Sequence, residues 1–263
     1  MVGKAASVLV LGIIAAVMAI DATPARAGDA SDPIREVVGG ELAADGAFPW
    51  MVRLSMGCGG VLTAPRVVLT AGHCVSGSGP ETGIDVVAGA TDLKSKGAVT
   101  ARSVSVIRAD GFRGETHGDD WALVELDRDL ELPTLAVART AVGDQDRVIV
   151  MGWGLTSENG LKQQHRLRYG TVPVVPDSTC AKAYRGAGVR LVRKESICAG
   201  DKAVDTCQGD SGGPMVRRDA AGRWAQVGIV SWGLGCGRAG YPGVYTQVSE
   251  FRSAIRSATR KLS

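Results

Sequence analysis

The sequence lacks a strong excess of charge of either sign. Its 263 residues include 30 Lys and Arg against 27 Asp and Glu, which leaves a formal net charge of +3. The charged residues are scattered without long runs, so no electrostatic footprint for a nucleic acid is visible. We therefore expect no nucleic-acid partner.

Long apolar runs are also missing after the first twenty residues. At the start, Lys4 precedes an apolar stretch at residues 5–20, and the small-x-small pattern ARA follows at residues 25–27. This order is typical of a secretory signal peptide, residues 1–27, that is cleaved after Ala27. The alternative is an uncleaved membrane anchor, but a span needs roughly 20 apolar residues and this run is shorter. The sequence thus predicts a secreted, extracellular protein with no membrane association after signal removal.

No Cys-x-x-Cys pair occurs, although the chain contains six cysteines. Structural zinc sites commonly use such pairs, and no acidic loop matches a calcium-binding pattern, so no metal or other cofactor is expected. Six cysteines in a secreted chain instead indicate three disulfides. The count by itself leaves their pairing open.

Histidine is scarce, with three in the chain, and none follows Ser211. Ser211 lies in the stretch DTCQGDSGGP (205–214), whose glycines and proline favour a tight turn that suits a reactive serine. Lipases and esterases share the pattern Gly-x-Ser-x-Gly, but their catalytic histidine follows the serine, so that interpretation fails. His73 comes directly after an apolar run and beside a cysteine. His117 and His165 have polar neighbours and are interpreted as surface residues.

Short runs rich in Val, Ile and Leu recur between turn residues, which indicates many short strands. The 36 glycines, roughly twice the usual share of about 7%, favour the turns between them. These observations predict an all-β protein in two halves, with a crossing segment at residues 127–146. The runs begin at Trp50 (WMVRLSM), Arg66 (RVVLTA), Ser103 (SVSVIRA), Trp121 (WALVEL), Arg147 (RVIVMGWG) and Trp224 (WAQVGIVSWG).

The last fifteen or so residues change to a helical period. We expect a terminal helix that is capped by Ser249 and packs on a barrel. The apolar residues spaced three or four apart are Val248, Phe251, Ile255, Ala258 and Leu262, with Arg252, Arg256 and Arg260 on another face.

Four motifs together carry a family resemblance. TAGHC, DDWALVEL, DTCQGDSGGP and SWGLGCGRAGYPGVYTQV occur in the order found in trypsin-like serine proteases, and residues 37–259 resemble that family, most closely the secreted bacterial trypsins. The resemblance implies two six-stranded antiparallel β-barrels with the active site in the cleft between them and a C-terminal helix. It also implies a serine endopeptidase that acts through an acyl-enzyme.

The resemblance assigns the catalytic triad to Ser211 as nucleophile, His73 as general base and Asp120 as the carboxylate that orients the imidazole. Asp119 is the alternative to Asp120. The family pattern Asp-x-Ala-Leu selects Asp120, and strand alternation predicts that only one of the two faces His73. The backbone N–H groups of Gly209 and Ser211 would form the oxyanion hole.

The same resemblance implies a specificity pocket with Asp205 at its floor. A buried carboxylate needs a cation, because leaving one member of a buried ion pair unpaired costs on the order of 3 to 5 kcal/mol. Substrates should therefore be proteins or peptides with Arg or Lys before the cut bond. Gly233 and Gly243 would leave the pocket open, and Ser231 and Gly233 would pair with the substrate backbone as an added strand.

The resemblance further implies synthesis as a zymogen with a propeptide at residues 28–36 and the protease domain at 37–263. A new amino terminus at Val37 would pair with Asp210 and shape the oxyanion loop. Glu36, rather than Arg or Lys, precedes Val37, so a separate activating protease or trimming after Arg35 is expected. Protein protease inhibitors are further implied partners, and a monomer is expected. The implied disulfides are Cys58–Cys74, Cys180–Cys198 and Cys207–Cys236.

Two alternative functions remain at this point. One is a catalytically inactive binding protein on a protease scaffold, which would usually lack a triad residue. The other is a protease that cuts after aromatic residues, against which Asp205 speaks. The presence of all three triad residues favours an active enzyme with basic specificity.

Overall fold

The computed structural model describes residues 1–3 and 40–263. Most strands are short, with the turns between them rich in glycine at positive φ. The first eight strands in chain order are β1 (Glu41–Leu42), β2 (Met51–Leu54), β3 (Gly59–Ala64), β4 (Val67–Thr70), β5 (Gly79–Pro80), β6 (Asp85–Ala88), β7 (Val99–Arg108) and β8 (Ala122–Leu126).

The second half of the chain contains seven more strands and two α-helices within the described residues. The strands are β9 (Ala136–Val137), β10 (Arg147–Gly152), β11 (Arg168–Val175), β12 (Ser196–Ala199), β13 (Pro214–Arg218), β14 (Trp224–Trp232) and β15 (Gly243–Gln247). The helices are α1 (Asp177–Gly186), which follows β11, and α2 (Val248–Leu262), which follows β15.

The first sheet closes on itself as a barrel. Its strands run in the order β7-β6-β2-β3-β4-β8, every neighbour is antiparallel, and β8 pairs again with β7. Strand β5 is added outside this ring, on β7. Closure leaves six strands with no free edge in the ring.

The second sheet closes in the same way. Its ring runs β11-β10-β13-β14-β15-β12, and β12 pairs with β11. Strand β1 joins the outside of this ring on β11, and β9 joins β14 in parallel. The chain passes from the first barrel at Leu126 to the second at Arg147. The expected pair of six-stranded antiparallel barrels with a C-terminal helix is therefore confirmed.

The barrel interiors are filled by aliphatic side chains. All four residues of β4 are buried, and in β8 only Glu125 is partly exposed. Helix α2 extends the core of the first barrel, because its buried residues recur at helical spacing while Arg256, Arg260 and Lys261 are exposed. Those buried residues are Val248, Ile255, Ala258 and Leu262.

The start of helix α2 differs from the sequence prediction. The helix begins at Val248, and Gln247 flanks it without a side-chain cap. Ser249 lies inside the first turn, with its buried hydroxyl oxygen unpartnered among the described residues. The prediction of Ser249 as the cap was wrong, because strand β15 runs to Gln247 and fixes where the helix can begin. Helix α1 had no counterpart in the sequence prediction.

Three disulfides cross-link the described part of the chain. The structure joins Cys58 to Cys74, Cys180 to Cys198 and Cys207 to Cys236, the pairs that the family resemblance implies. Among residues 1–3 and 40–263, no helix has the length and apolar character required to cross a bilayer. The interpretation of residues 1–27 as a signal peptide and 28–36 as a propeptide lies almost wholly outside the described residues.

Candidate active site

His73 and Asp120 meet because two paired strands end beside each other. Thr70, the last residue of β4, lies opposite Ala122, the first residue of β8. His73 follows β4 in a short 3-10 turn, Gly72–Cys74, and Asp120 lies two residues before the start of β8. The antiparallel register therefore brings both side chains to the same edge of the first barrel.

The carboxylate of Asp120 holds His73 at two points. The His73 backbone N–H donates to Oδ1 at 2.8 Å, and Nδ1 lies 2.9 Å from Oδ2. Because an ionised carboxylate only accepts, Nδ1 must carry the hydrogen of the neutral ring. The other ring nitrogen, Nε2, then carries no hydrogen and can accept a proton.

The neighbouring Asp119 does not contact His73. Its φ is +52°, which is outside strand geometry, and its backbone N–H donates to Glu195 at 2.9 Å. Strand alternation therefore does not explain the choice between the two aspartates, since β8 begins only at Ala122. A left-handed turn at Asp119 directs the two side chains apart instead.

Two hydroxyls from the second barrel also bind Asp120. Ser231 Oγ donates to Oδ2, and Thr246 Oγ1 donates to the Asp120 carbonyl oxygen at 2.8 Å. Both hydroxyl residues and Asp120 are buried. The aspartate of one barrel is thus fixed by strands β14 and β15 of the other, so the barrels must be docked for the site to form.

The environment of His73 raises its pKa above the usual 6.5. Burial by itself would lower the pKa, because it disfavours the charged imidazolium. The hydrogen bond and negative charge of Asp120 outweigh burial, and the charge of Glu115 adds to them. The site therefore favours the imidazolium that forms when His73 accepts a proton.

The Ser211 loop lies against the His73 loop. The Gly59 N–H donates to the Ser211 carbonyl at 2.7 Å, and Gly59 follows Cys58, which is bonded to Cys74 beside His73. Gly212, which follows Ser211, has φ +77°. A Cβ there would lie 2.2 Å from Thr70 Oγ1 and 2.5 Å from the Gly59 carbonyl oxygen. Only glycine allows the two loops to approach this closely.

The amides of the Ser211 loop alternate between bonded and free. Asp210, Gly212 and Gly213 donate to the carbonyls of Cys207, Val230 and Asp210 at 2.8 to 3.0 Å. Within residues 40–263, the N–H groups of Gly209 and Ser211 have no protein acceptor. Gly209 has φ +96°, a conformation that side chains disfavour. Two amides of one tight turn therefore have no acceptor among the described residues and could donate to a bound anion.

Asp205 is a buried carboxylate that lies beside Gly243. Its side chain accepts from the Thr206 N–H and the Gly237 N–H, both at 2.8 Å, and the residue is 2% exposed. A Cβ on Gly243 would lie 2.9 Å from Asp205 Oδ1, and a Cβ on Gly233 would lie 3.8 Å from the Gly243 Cα. A larger residue at Gly243 would therefore crowd the carboxylate of Asp205.

Burial raises the pKa of Asp205 to about 7. The amides of Gly237 and Thr206 lower it in part, while the charges of Asp210 and Asp201 raise it further. Among the described residues, Asp205 has no cationic partner within ion-pair distance. The carboxylate is thus held by two neutral donors and would gain from a cation.

Asp210 is a second buried carboxylate behind the loop. It is 1% exposed and accepts from the N–H groups of Gly154 at 2.8 Å and Cys207 at 2.9 Å. Burial raises its pKa to about 6, against the lowering effect of those amides and of Arg53. Val37, its expected partner, lies outside the described residues.

The other two histidines are apart from this cluster. His165 Nδ1 lies 2.9 Å from Asp92 Oδ1 at the surface, and His117 is exposed beside Thr116. One group among the described residues has the spacing of a metal site, formed by His73 with Cys58 and Cys74. Cys58 and Cys74 form a disulfide with each other, so they offer no thiolate ligand.

Several site residues were not found from the sequence. Thr70 donates to the Gly59 carbonyl at 2.8 Å, Thr246 binds Asp120, and Arg53 donates to the Gly209 carbonyl at 2.8 Å. Ser231 was assigned only to the substrate backbone, yet it also binds Asp120. No local pattern marks these residues, because each acts on a neighbouring strand or loop rather than within its own motif.

Comparison with known proteins agrees with this geometry. The family model for trypsin matches residues 37–255. A trypsin-like protease of Streptomyces glaucescens is 48% identical over 91% of this chain and 87% of its own length. A trypsin of Saccharopolyspora erythraea is 36% identical over 83% of this chain and 96% of its own, and trypsin beta of Drosophila erecta is 34% identical over 83% and 87%. The chain therefore belongs to the trypsin family and is a trypsin-like serine endopeptidase.

Proposed function

We propose that the enzyme cleaves proteins after Arg or Lys with Ser211, His73 and Asp120 as its triad. The observation that carries the specificity is Asp205, a buried carboxylate that has two amide donors and lies beside Gly243. Gly233 and Gly243 would form the walls of a pocket above it. An arginine or lysine side chain would supply the missing positive charge. A neutral side chain would leave the carboxylate unpaired.

In the first chemical step, Ser211 Oγ attacks the carbonyl carbon of the scissile bond while its proton passes to His73 Nε2. The resulting oxyanion accepts from the free N–H groups of Gly209 and Ser211. The C–N bond then breaks, the leaving amine takes the proton from His73, and an acyl-enzyme remains. Water repeats the sequence with His73 again as base, which releases the acid and restores Ser211.

Asp120 would support this cycle without taking the proton itself. Its hydrogen bond fixes the tautomer with hydrogen on Nδ1, and its charge stabilises the imidazolium of the intermediate. The raised pKa of His73 is in the direction that this role requires. Ser231 and Thr246 keep the carboxylate in place from the second barrel.

The substrate backbone would lie along the end of strand β14 as an added strand. Ser231 and the following Trp232 and Gly233 lead from Asp120 to the wall of the Asp205 pocket. Residues before the cut bond would pair with the backbone of Ser231 and Gly233. This arrangement holds the scissile carbonyl beside Ser211.

Activation would depend on Asp210. Its buried carboxylate has a pKa raised to about 6, so a cation placed beside it would be strongly stabilised. We infer that the new amino group of Val37 supplies this cation after removal of residues 1–27 as a signal peptide and 28–36 as a propeptide. Because Glu36 precedes Val37, a separate protease would activate the secreted zymogen, which then works as an extracellular monomer open to protein inhibitors.

The amino terminus of the active form tests the activation step. Intact mass and amino-terminal sequencing should give Val37, and activity should appear only in molecules that start there. Cleavage after Arg35 followed by loss of Glu36 is an allowed route. A stable, fully active enzyme that starts at Glu36 would refute the role of Val37.

The function itself is tested with two short amide substrates that differ only in Arg or Phe before the scissile bond. Protein that starts at Val37 should prefer Arg by roughly a hundredfold or more, on the basis of the unpaired-charge cost of a few kcal/mol. Asp205→Ser should lose that preference, and Ser211→Ala should lose turnover of both substrates. Asp144→Asn, which removes an exposed acid elsewhere, is the matched control and should behave as wild type.

Each contrary result has a distinct meaning. Preference for Phe over Arg would keep the triad but refute the role of Asp205. Turnover that survives Ser211→Ala would refute the triad. No turnover of either substrate by protein that starts at Val37 would favour a binding protein on a protease scaffold.

A further inference from the structure

A large groove opens near the candidate active site. It has a volume of about 1320 Å³ and is lined by residues of two segments, 116–117 and 181–194. The lining includes Arg185, Arg190, Arg193 and Lys194, and none of its residues is Asp or Glu. Pockets for small molecules occupy roughly 300–1,000 Å³, so this space suits a longer ligand. We call it the basic groove.

Two of the four cations in the basic groove are free to bind a ligand. Arg193 lies 3.7 Å from Asp177, and Lys194 lies 3.2 Å from Glu250. Arg185 and Arg190 are exposed and have no ion pair among residues 40–263. Two like charges that line one groove without a counter-ion attract an anionic ligand.

The basic groove adjoins the path of the substrate. Trp232, which lies between the two residues proposed to pair with the substrate backbone, packs on Tyr184 with ring centroids 4.6 Å apart. Tyr184 directly precedes Arg185, which lines the groove. Thr116, another lining residue, follows Glu115, and the charge of Glu115 acts on His73. A substrate segment that pairs with Ser231 and Gly233 would therefore run toward the groove on the amino-terminal side of the cut bond.

We propose that the basic groove binds an acidic segment of the protein substrate, on the amino-terminal side of the cleaved bond. The proposal rests on the proposed function, because it uses the direction in which the substrate lies on Ser231 and Gly233. Part of the lining is apolar, with Leu191 7% exposed and Val189 and Val192 half-buried. A peptide offers both carboxylates and apolar side chains to such a surface, whereas a sulfated polysaccharide offers charge alone.

The test uses two peptides that share a single scissile Arg and differ at four residues, the third to the sixth before the cut bond. These four residues are all Glu in one peptide and all Gln in the other. Wild-type enzyme at low salt should cleave the Glu peptide with a kcat/KM about two- to thirtyfold higher, mostly through KM, since two exposed ion contacts supply that range. The preference should shrink in 0.5 M NaCl because the charges are screened.

The double variant Arg185→Gln/Arg190→Gln should cleave both peptides at the rate of the Gln peptide. It should keep wild-type turnover of a single-residue Arg amide, which does not reach the groove. Lys94→Gln/Lys96→Gln removes the same charge from another exposed site and should retain the preference for Glu.

Equal turnover of the two peptides by wild type, or the same loss of preference in both double variants, would overturn the proposal. Retention on dextran sulfate that depends on Arg185 and Arg190, without any preference for the Glu peptide, would assign the groove to a polysaccharide instead. Failure to cleave even the single-residue Arg amide would refute the proposed function, which separates that outcome from failure of the groove alone.

Discussion

At the scale of single residues, the site depends on how two buried carboxylates are satisfied. The carboxylate of Asp120 accepts from the backbone and ring of His73 and from Ser231. Asp205 accepts only from two backbone amides. The charge of Asp120 is therefore offset by three donors within the protein, whereas that of Asp205 has only two neutral amide donors and would be stabilised further by a cation.

Asp120→Asn should lower kcat/KM by about 10²–10⁴-fold, the range that general-base catalysis contributes. It should also lower the pKa of His73, because burial then acts without the charge that opposes it. Activity rises with pH as His73 loses its proton, so the acid limb should lie above pH 6.5 in wild type and move to lower pH in the variant. A pH profile of kcat/KM measures both effects, and an unchanged acid limb would contradict this account.

Binding of an amidinium ligand should depend on pH through Asp205. Its pKa of about 7 means that the free carboxyl is protonated at lower pH, and a cation binds the ionised form. The affinity should therefore fall up to tenfold per unit as pH drops below about 7, and level off above it. Calorimetry with benzamidine in two buffers checks the affinity and the proton release. A constant Kd from pH 5.5 to 8.5 would refute the shift.

At the scale of elements, the site forms where two tight loops touch. Strand β4 ends at Thr70 before the His73 turn, and strand β13 begins at Pro214 after the Ser211 loop. A disulfide from Cys58 to Cys74 and the hydrogen bond from Gly59 to Ser211 hold the loops together. Catalytic geometry is thus set by loop packing, with the strands as rigid supports.

Gly212→Ala tests this packing against Gly222→Ala. Both glycines have similar φ values, +77° and +75°, so each substitution should cost about 1 kcal/mol from backbone conformation. A Cβ at Gly222 meets nothing within 4 Å, but one at Gly212 would overlap Thr70 and the Gly59 carbonyl. Only Gly212→Ala should cost more than about 2 kcal/mol in urea unfolding and abolish activity. Equal effects of the two would show that the close approach is unimportant.

At the scale of the whole molecule, the active site exists only when two barrels dock. His73 and Asp120 belong to the first barrel, whereas Ser211, Ser231 and Asp205 belong to the second. Hydrogen bonds to Asp120 from Ser231 and Thr246 cross between them. Stability of the interface and catalytic rate should therefore change together.

Thr246→Val removes one crossing hydrogen bond with little change of shape. The Asp120 carbonyl would be left buried without this partner, which should cost about 1–3 kcal/mol in unfolding free energy and lower kcat through misplacement of His73. Thr259→Val is the control, because its hydroxyl donates to Ile255 within α2, far along the chain from the triad. Urea unfolding and kcat measure both variants. A Thr246→Val protein as stable and active as Thr259→Val would contradict a linked interface.

The sequence pattern predicted the all-β class and the terminal helix, and the family resemblance implied the two barrels; the structure confirms all three. The roles of the triad, pocket and loop residues stay predictions, although the structure brings His73 and Asp120 together. Short motifs could nominate these residues because each marks a local turn, such as the glycines around Ser211. The start of helix α2 was wrong at Ser249, and helix α1 was not predicted. Capping rules describe isolated helices, while here the end of strand β15 decides where α2 begins.

The sequence by itself determined which residue types are present for chemistry: one histidine after an apolar run, one serine in a glycine turn and carboxylates near both. Only the tertiary structure decided which of them meet. The register of β4 on β8 brings Asp120 beside His73, and the left-handed backbone conformation of Asp119 points its side chain elsewhere. Contacts such as Thr246 with Asp120 join residues more than a hundred positions apart, so they follow from barrel closure and docking rather than from any local pattern.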